Sequence, residues 1–136
     1  MANNSLIYLV TPTVANVAQD GVLPLTTIVR RRGACIQQAN DSIILSASGY
    51  YRVSINETFT APAAGVVILQ IRQDNNPVTG GTASTSIVTA TTEVDSLAAE
   101  SIIRVNCCNG PVTLTFINTG VAITTSNIAV NVEYLD

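Results

Sequence analysis

Hydrophobic and polar residues alternate along several stretches of this chain, in the pattern typical of β-strands. The clearest stretch is residues 50–60, where apolar side chains occupy every second position apart from Glu57: Tyr51, Val53, Ile55 and Phe59. Residues 112–117 and 128–134 alternate in the same way. Because successive side chains of a strand point to opposite faces, these stretches predict half-buried strands of an antiparallel sheet.

Three other runs are apolar on both faces: residues 66–69, 43–45 and 102–103. A strand of this kind needs cover on two sides. It is either a central strand of one domain, or it is covered by a second copy of the chain. The second interpretation predicts a subunit interface that contains Val66, Val67, Ile68, Leu69, Ile43 and Ile102.

Turn-forming residues separate these runs at short intervals. They include Asp74-Asn75-Asn76-Pro77, Asn109-Gly110-Pro111 and Asn118-Thr119-Gly120, which tolerate positive φ or preset φ. Residues 93–101 have too few large apolar residues for a helix, so we expect a turn or an irregular stretch there. Evenly spaced strands without helices predict a sandwich or a barrel. The predicted strands are 27–36, 42–46, 50–59, 65–73, 83–91, 100–107, 111–118 and 127–135.

The composition supports an all-β fold and shows that the folded surface carries few charges. Val, Ile and Thr make up 47 of the 136 residues, and these β-branched types favour strands. Six basic and nine acidic residues would leave about one charge per 450 Å² of a folded surface of this mass. Such sparse charge indicates either a surface made mostly of Thr, Ser and Asn or a surface partly covered by copies of the chain, and both can hold. We take it as a first indication of an obligate homo-oligomer.

The same composition excludes several functions. The chain has no His, and all six basic residues are Arg, so imidazole catalysis, Schiff-base lysines and histidine metal ligands are absent. A sequence pI of about 4.6 argues against nucleic acid as a partner. No apolar run is long enough to span a membrane as a helix, and the first residues do not resemble a signal peptide. We expect one domain, made in the cytoplasm, with no cofactor and no membrane contact.

Several motifs together resemble a known family. They are a Gly-Tyr-Tyr element at residues 49–51, an Asp-Asn-x-Pro-Val-x-Gly turn at residues 74–80, CCNGPVTLTFINTG at 107–120 and a closing NIAVNVEYL. With them, residues 21–135 resemble the jelly-roll domains of the complement globular heads and the tumour necrosis factors. The likeness is closer to the bacterial and phage versions of these domains, found on spore-surface proteins and as small separate proteins. This chain is poorer in aromatics and has no Gly-X-Y stalk.

The resemblance implies a two-sheet antiparallel jelly-roll sandwich of ten or fewer strands that assembles as a homotrimer. We assign the jelly roll to residues 26–136. Residues 1–25 form either a first strand of the sandwich or an arm that docks on a scaffold or on neighbouring subunits. Of these two, we favour the strand.

Charged residues suggest inter-subunit ion pairs. Glu57 is in phase with the apolar side of residues 50–60, so it lies either at a solvated strand end or buried beside a cation. A buried carboxylate would need an arginine partner, from the same or a neighbouring subunit: Arg30, Arg32, Arg72 or Arg104. The run Arg30-Arg31-Arg32 alternates between faces, which favours ion pairs over a dense polyanion-binding patch.

The cysteines and the Asp74 turn offer little chemistry. Cys35, Cys107 and Cys108 lack the spacing and partners of a zinc site or a nucleophile, so we interpret them mainly as small buried hydrophobes. A disulfide of one of them with Cys35, or with its own copies near a three-fold axis, is the alternative. Asp74, Asn75 and Asn76 could offer oxygens to calcium but more often form a plain turn, so we predict no metal site.

The sequence thus predicts a structural protein and not an enzyme. The leading hypothesis, by analogy with the family, is a homotrimeric virion component, such as a bacteriophage decoration or fibre-head protein bound to a capsid scaffold. One alternative is a spore-surface trimer attached to a spore coat. The other is a carbohydrate-binding adhesin, for which Tyr50 is the best candidate contact because it is out of phase with the apolar side of its strand.

Overall fold

The computed structural model of the protein describes residues 5–106 and 110–135. Within these ranges the chain forms twelve strands: β1 (Leu6–Thr11), β2 (Ala15–Val17), β3 (Gly21–Val22), β4 (Thr27–Arg32), β5 (Ile36–Ala39), β6 (Ser42–Leu45), β7 (Gly49–Thr60), β8 (Gly65–Gln73), β9 (Asn76–Ile87), β10 (Asp95–Val105), β11 (Val112–Asn118) and β12 (Ile123–Leu135).

The strands form two antiparallel sheets of six strands each. Sheet I has the order β10-β7-β12-β1-β4, with β2 beside β12. Sheet II has the order β5-β6-β11-β8-β9, with β3 beside β11. The chain crosses repeatedly from one sheet to the other, so the predicted two-sheet antiparallel jelly roll is confirmed. The expectation of ten or fewer strands is wrong: β2 and β3 are short, and the predicted strand 27–36 breaks at Gly33, whose φ is 76°.

The core lies between the two sheets and uses the inward half of each alternating strand. Its largest fully buried side chains come from both sheets: Tyr51, Phe59, Phe116, Ile7, Leu9, Leu23, Ile36, Ile43, Leu45, Ile55, Leu69 and Ile71. β7 contributes every second residue, as its pattern predicts. Burial of one side of each strand is therefore satisfied within a single copy of the chain.

The Gly-Tyr-Tyr element opens β7 and directs its two tyrosines to opposite faces. Tyr51 is buried, packs edge-on against Tyr134 with ring centroids 5.1 Å apart, and donates a hydrogen bond to the Ala47 carbonyl at 2.6 Å. Burial raises the pKa of Tyr51 to about 12. Gly49 has a φ of 135°, and a Cβ there would meet the Tyr134 hydroxyl at 2.5 Å. Glycine is thus required at this position by both the backbone and the ring beside it.

The Asp74-Asn75 pair forms the turn between β8 and β9. Both residues have positive φ, 50° and 69°, which is typical of a two-residue hairpin turn. The Asp74 side chain accepts a hydrogen bond from the Thr113 amide at 2.9 Å. The carboxylate of Asp74 therefore braces the turn against β11, and the turn predicted for this segment is confirmed.

Strand β10 begins earlier than the sequence suggested. Residues 95–101 are part of a strand paired with β7, with Leu97 opposite Glu57, so the expectation of a turn or an irregular stretch there is wrong. Small residues hid the alternation, because Ala99 occupies a buried position where a larger apolar residue was expected. The Thr85 hydroxyl of β9 donates to the Asp95 carboxylate at 2.9 Å and links this edge of sheet I to sheet II.

The N-terminal segment contributes strand β1, which lies between β12 and β4 in sheet I. Ile7 and Leu9 point into the core and are at most 1% exposed. In this structure the segment completes sheet I. Among the described residues, no helix has the length and hydropathy of a membrane-spanning segment.

One end of the sandwich carries three exposed valines in its loops. Val14 follows β1, whereas Val88 and Val94 lie in the loop between β9 and β10, and their exposures are 73%, 79% and 66%. The Glu93 carboxylate accepts hydrogen bonds from the Val88 and Thr89 amides at 3.1 and 3.0 Å. The latter loop is thus held in place while its valines remain in solvent.

Candidate subunit interface

The outward side of sheet I, here called the open face, is the surface best suited to contact another protein. Ten large apolar side chains of the described residues are exposed, and three of them lie on the open face: Tyr8, Tyr50 and Ile102. Ile28 and Val29 belong to the edge strand β4, where Ile28 is opposite the inward-facing Leu9, and Val22 and Val66 belong to sheet II. Sheet II instead presents mainly neutral polar side chains outward: Gln70, Thr82, Ser84, Ser86, Thr113 and Thr115. The two outer surfaces of the sandwich therefore differ in chemistry.

A group of three charged residues lies on the open face, on the side of sheet I formed by β10, β7 and β12. The register places Arg52 of β7 between Ile102 of β10 and Glu133 of β12. The Arg52 guanidinium bonds Glu133 at 2.8 Å and approaches Glu100 at 3.7 Å. One cation thus serves two carboxylates, and the group carries a formal charge of −1.

The second charged feature of the open face is a cation–π contact. The Arg104 guanidinium lies 5.9 Å from the centroid of the Tyr50 ring, opposite it across the β10–β7 pair. Tyr50 remains 51% exposed. The predicted exposure of Tyr50 is consistent with a ligand contact, and that role remains a prediction.

Strand β4 forms one edge of sheet I and is exposed along its whole length. All six of its residues, Thr27–Arg32, are exposed, and β1 is its paired neighbour. Arg30 lies opposite Tyr8, so it shares the open face with that side chain, whereas Arg31 lies opposite the inward-facing Ile7. Three of the six basic residues of the chain therefore lie on one exposed edge strand.

A shallow depression of about 350 Å³ lies on the open face at the opposite side of sheet I. Its lining consists mostly of small and short side chains: Ser54, Ile55, Asn56, Ala98, Ala99 and Glu100. Ala98 provides an apolar base, and Glu100 stands at the margin with 61% of its side chain exposed. The site could accept a long side chain whose end carries a positive charge.

The structure corrects half of the predicted interface residues. Ile43, Val67 and Leu69 are fully buried inside the sandwich, so they cannot contact a second copy. The physical reason is that the sandwich itself covers the inward half of each two-sided run. Val66 and Ile68 lie on the outward side of sheet II, and Ile102 lies on the open face. The six residues therefore do not share one surface.

Glu57 matches neither of its two predicted environments. It is 1% exposed, on the inward face of β7, and no described residue forms a hydrogen bond with either carboxylate oxygen. Arg30 and Arg104 lie on the other side of the same sheet, so the predicted ion pairs with Glu57 are wrong, as is the solvated strand end. The same holds for Arg32, which shares the open face with Leu6.

Burial without a partner raises the pKa of Glu57 to about 7. Its closest neighbours across the sheet are Leu97 and Ile128, and the same face of β7 carries Ile55 and Phe59. The surroundings are thus apolar, which disfavours the charged form. Sequence reasoning identified Glu57 as unusual from its phase but could not determine whether a cation lay opposite.

Other chemistry proposed from the sequence is limited in this structure. Cys107 and Cys108 lie outside the described residues, and Cys35 is half-buried. In the described part of the chain, no group of three Cys, Asp or Glu residues is arranged to hold a metal ion. A groove of about 450 Å³ at the end of the sandwich has no acidic or basic side chain in its lining, which consists of Asn16, Val17, Ala18, Pro62, Ala122, Ile123 and Thr124.

Comparison with solved structures finds proteins of similar fold, whereas comparison by sequence finds none. No protein-family model matches the chain, and no curated protein matches it by sequence. Among solved structures, murine APRIL is similar with a TM-score of 0.67 and 11% identity, over 98% of this chain and 100% of that one. PRD1 vertex protein P5 is similar with a TM-score of 0.64 and 14% identity over 100% of both chains.

A third similar structure is the globular domain of zebrafish complement 1qA protein, with a TM-score of 0.61 and 10% identity over 96% of both chains. At these identities the likeness concerns the fold alone. The sequence resemblance and the structural likeness agree, since both lead to the same two-sheet arrangement. The chain has the jelly-roll fold shared by tumour-necrosis-factor-like proteins, complement globular heads and the PRD1 vertex protein.

Proposed function

We propose that this protein is a non-enzymatic structural component that assembles as a homotrimer on the surface of a virion, as a decoration or fibre-head protein. The observation that carries the proposal is the contrast between the two outer surfaces of the sandwich. Sheet II presents mainly neutral polar side chains, whereas the open face of sheet I carries exposed Tyr8, Tyr50 and Ile102. Exposed apolar groups concentrated on one side of a small domain are typical of a contact surface.

Two further observations support the proposal. The family resemblance implies a homotrimer, and a closed cyclic assembly would cover an apolar face that a single copy leaves in water. The likeness to a vertex protein, PRD1 P5, shows that this fold occurs in a protein of that description. The attachment to a capsid scaffold is part of the proposal and rests on this analogy.

Solution mass tests the trimer first. We expect light scattering at micromolar concentration to return about three times the 14.2 kDa of one chain. A well-folded species that stays at the mass of one chain, remains soluble and melts cooperatively would contradict the proposal. Immunogold labelling then locates the protein: labelled virions support the virion assignment, and labelled spores support the spore-surface alternative.

The adhesin alternative is favoured by one observation, the exposure of Tyr50 on the open face. Aromatic side chains that are open to solvent can stack on sugar rings, and here Arg104 approaches the Tyr50 ring and could bond a sugar hydroxyl. On this reading, a glycan array should show binding that Tyr50→Ala abolishes. Tyr8→Ala is the matched control, since Tyr8 is a second exposed tyrosine on the same face. No binding by the wild-type protein would eliminate the alternative.

A further inference from the structure

The two edges of sheet I carry charged groups of opposite sign. At one edge, β4 carries Arg30-Arg31-Arg32 and is exposed throughout. Near the other edge, Arg52 is shared between Glu100 and Glu133. The edges are β4 and β10, with three strands between them, so the two groups cannot meet within one subunit.

Of the two carboxylates near Arg52, Glu100 has the weaker contact. Its distance to Arg52 is 3.7 Å, compared with 2.8 Å for Glu133, and 61% of its side chain is exposed, compared with 37% for Glu133. A second guanidinium at Glu100 would make the group neutral, with two cations and two carboxylates. Arginine and carboxylate form strong paired hydrogen bonds when water is excluded around them.

The shape of the surface beside Glu100 fits an arginine. The depression lined by Ala98, Ser54 and Asn56 is shallow and has small walls, so it can hold the aliphatic part of a long side chain. Arg30 shares the open face with Tyr8 of β1, its partner in the register, which is 37% exposed. Tyr8 supplies an apolar side chain beside the ion pair.

Symmetry favours contact between different surfaces of the two copies. If β4 met β4 across a two-fold axis, the three arginines of one copy would face those of the other, and like charges in contact oppose association. When β4 of one copy meets the Glu100 region of the next, each subunit uses one surface of each kind. Such a head-to-tail contact generates a closed ring if the rotation between copies is suitable.

We propose that β4 of each copy lies across the open face of the next copy, with Arg30 bonded to Glu100 and its aliphatic part in the depression at Ala98. This inference rests on the proposed homotrimer and specifies which surfaces form it. It assigns a role to the exposed edge strand and to Glu100.

Charge reversal tests this contact. Arg30→Glu and Glu100→Arg, each alone, place like charges together and should weaken association on the order of 100-fold or more. At micromolar concentration, light scattering should then return the mass of one chain. The double variant, Arg30→Glu with Glu100→Arg, restores opposite charges and should return the trimer mass. Arg72→Glu is the matched control, because Arg72 lies on sheet II, and it should leave the mass unchanged.

The outcomes separate this inference from the proposed function. A wild-type protein that is a monomer contradicts both. A wild-type trimer that both single reversals leave intact overturns the Arg30–Glu100 contact alone, as does a double variant that stays monomeric while circular dichroism shows it folded. If a reversal variant is insoluble, Arg30→Gln and Glu100→Gln replace it. Each should weaken association about 10-fold, and unchanged association in both would overturn the contact.

Discussion

Replacing Glu57 by Gln should make the protein more stable than the wild type in alkaline solution and remove most of its loss of stability between pH 4.5 and pH 8. In the unfolded chain the Glu57 carboxyl ionises near its ordinary pKa of 4.5, whereas burial raises the pKa in the fold to about 7. The folded protein therefore keeps a proton that the unfolded chain has released. The resulting stability is complete below pH 4.5 and is lost as the pH rises through 7.

The size of the effect follows from the difference between the two pKa values. It corresponds to about 3 kcal/mol of unfolding free energy between acidic and alkaline solution. Glutamine has almost the same shape and no charge to remove from water, so the variant should lack this slope. Urea unfolding from pH 4.5 to pH 8.5, at one protein concentration, measures the difference between wild type and variant.

Asp20→Asn is the matched control for Glu57→Gln. Asp20 is exposed and has a φ of 62°, a conformation that asparagine also tolerates. The control tests whether the loss of any one carboxyl changes the pH dependence. If the wild type and Glu57→Gln keep a constant stability difference across the range, Glu57 does not hold a proton in the fold.

Replacing Gly120 by Ala should destabilise the protein by on the order of 3 kcal/mol or more, because no space exists for a Cβ atom. A Cβ on Gly120 would collide with the Val66 carbonyl oxygen and would lie 2.7 Å from the Ile68 amide nitrogen and 2.9 Å from the Val67 Cα. All three atoms belong to the backbone of β8, which cannot rotate away as a flexible side chain can.

The turn at Gly120 is also fixed by hydrogen bonds on both sides. The Thr119 amide donates to the Ile68 carbonyl at 3.0 Å, and the Val121 amide donates to the Val66 carbonyl at 2.9 Å. Relief of the collision would therefore break at least one of these bonds. Thermal and urea unfolding of Gly120→Ala should show the loss, and poor recovery of soluble protein would be its extreme form.

Gly80→Ala provides the control for Gly120→Ala. A Cβ at Gly80 meets nothing within 4 Å, so only its φ of 80° opposes alanine there. That conformation should reduce stability by about 1 kcal/mol. Equal effects of the two substitutions would show that the contact of Gly120 with β8 is not tight.

Much of the fold could be predicted from local patterns, because a sandwich buries one side of each strand. The alternation in residues 50–60 predicted β7, and the Asp74-Asn75 pair predicted the β8–β9 turn. Gly120 was recognised as a turn residue from its type, but the physical reason differs. It lies against β8 and has no positive φ, and only the folded structure could show that contact.

The subunit interface was harder to predict, because the same apolar residues serve the core and the surface. Val67 and Leu69 were placed in the interface since their run is apolar on both sides, yet the core covers them. The open face combines residues from distant strands, such as Tyr8 of β1 and Ile102 of β10. The register of sheet I brings such residues onto one face, and a single sequence contains no signal for that register.

The three loop valines at one end of the sandwich give the proposed assembly a direction. Copies related by a three-fold axis all point the same way along it, so the loops that carry Val14, Val88 and Val94 would face the same direction in all three copies. One end of the ring would then expose apolar side chains. A trimer built this way could bind a particle through that end in a single orientation, with its opposite end facing the solvent.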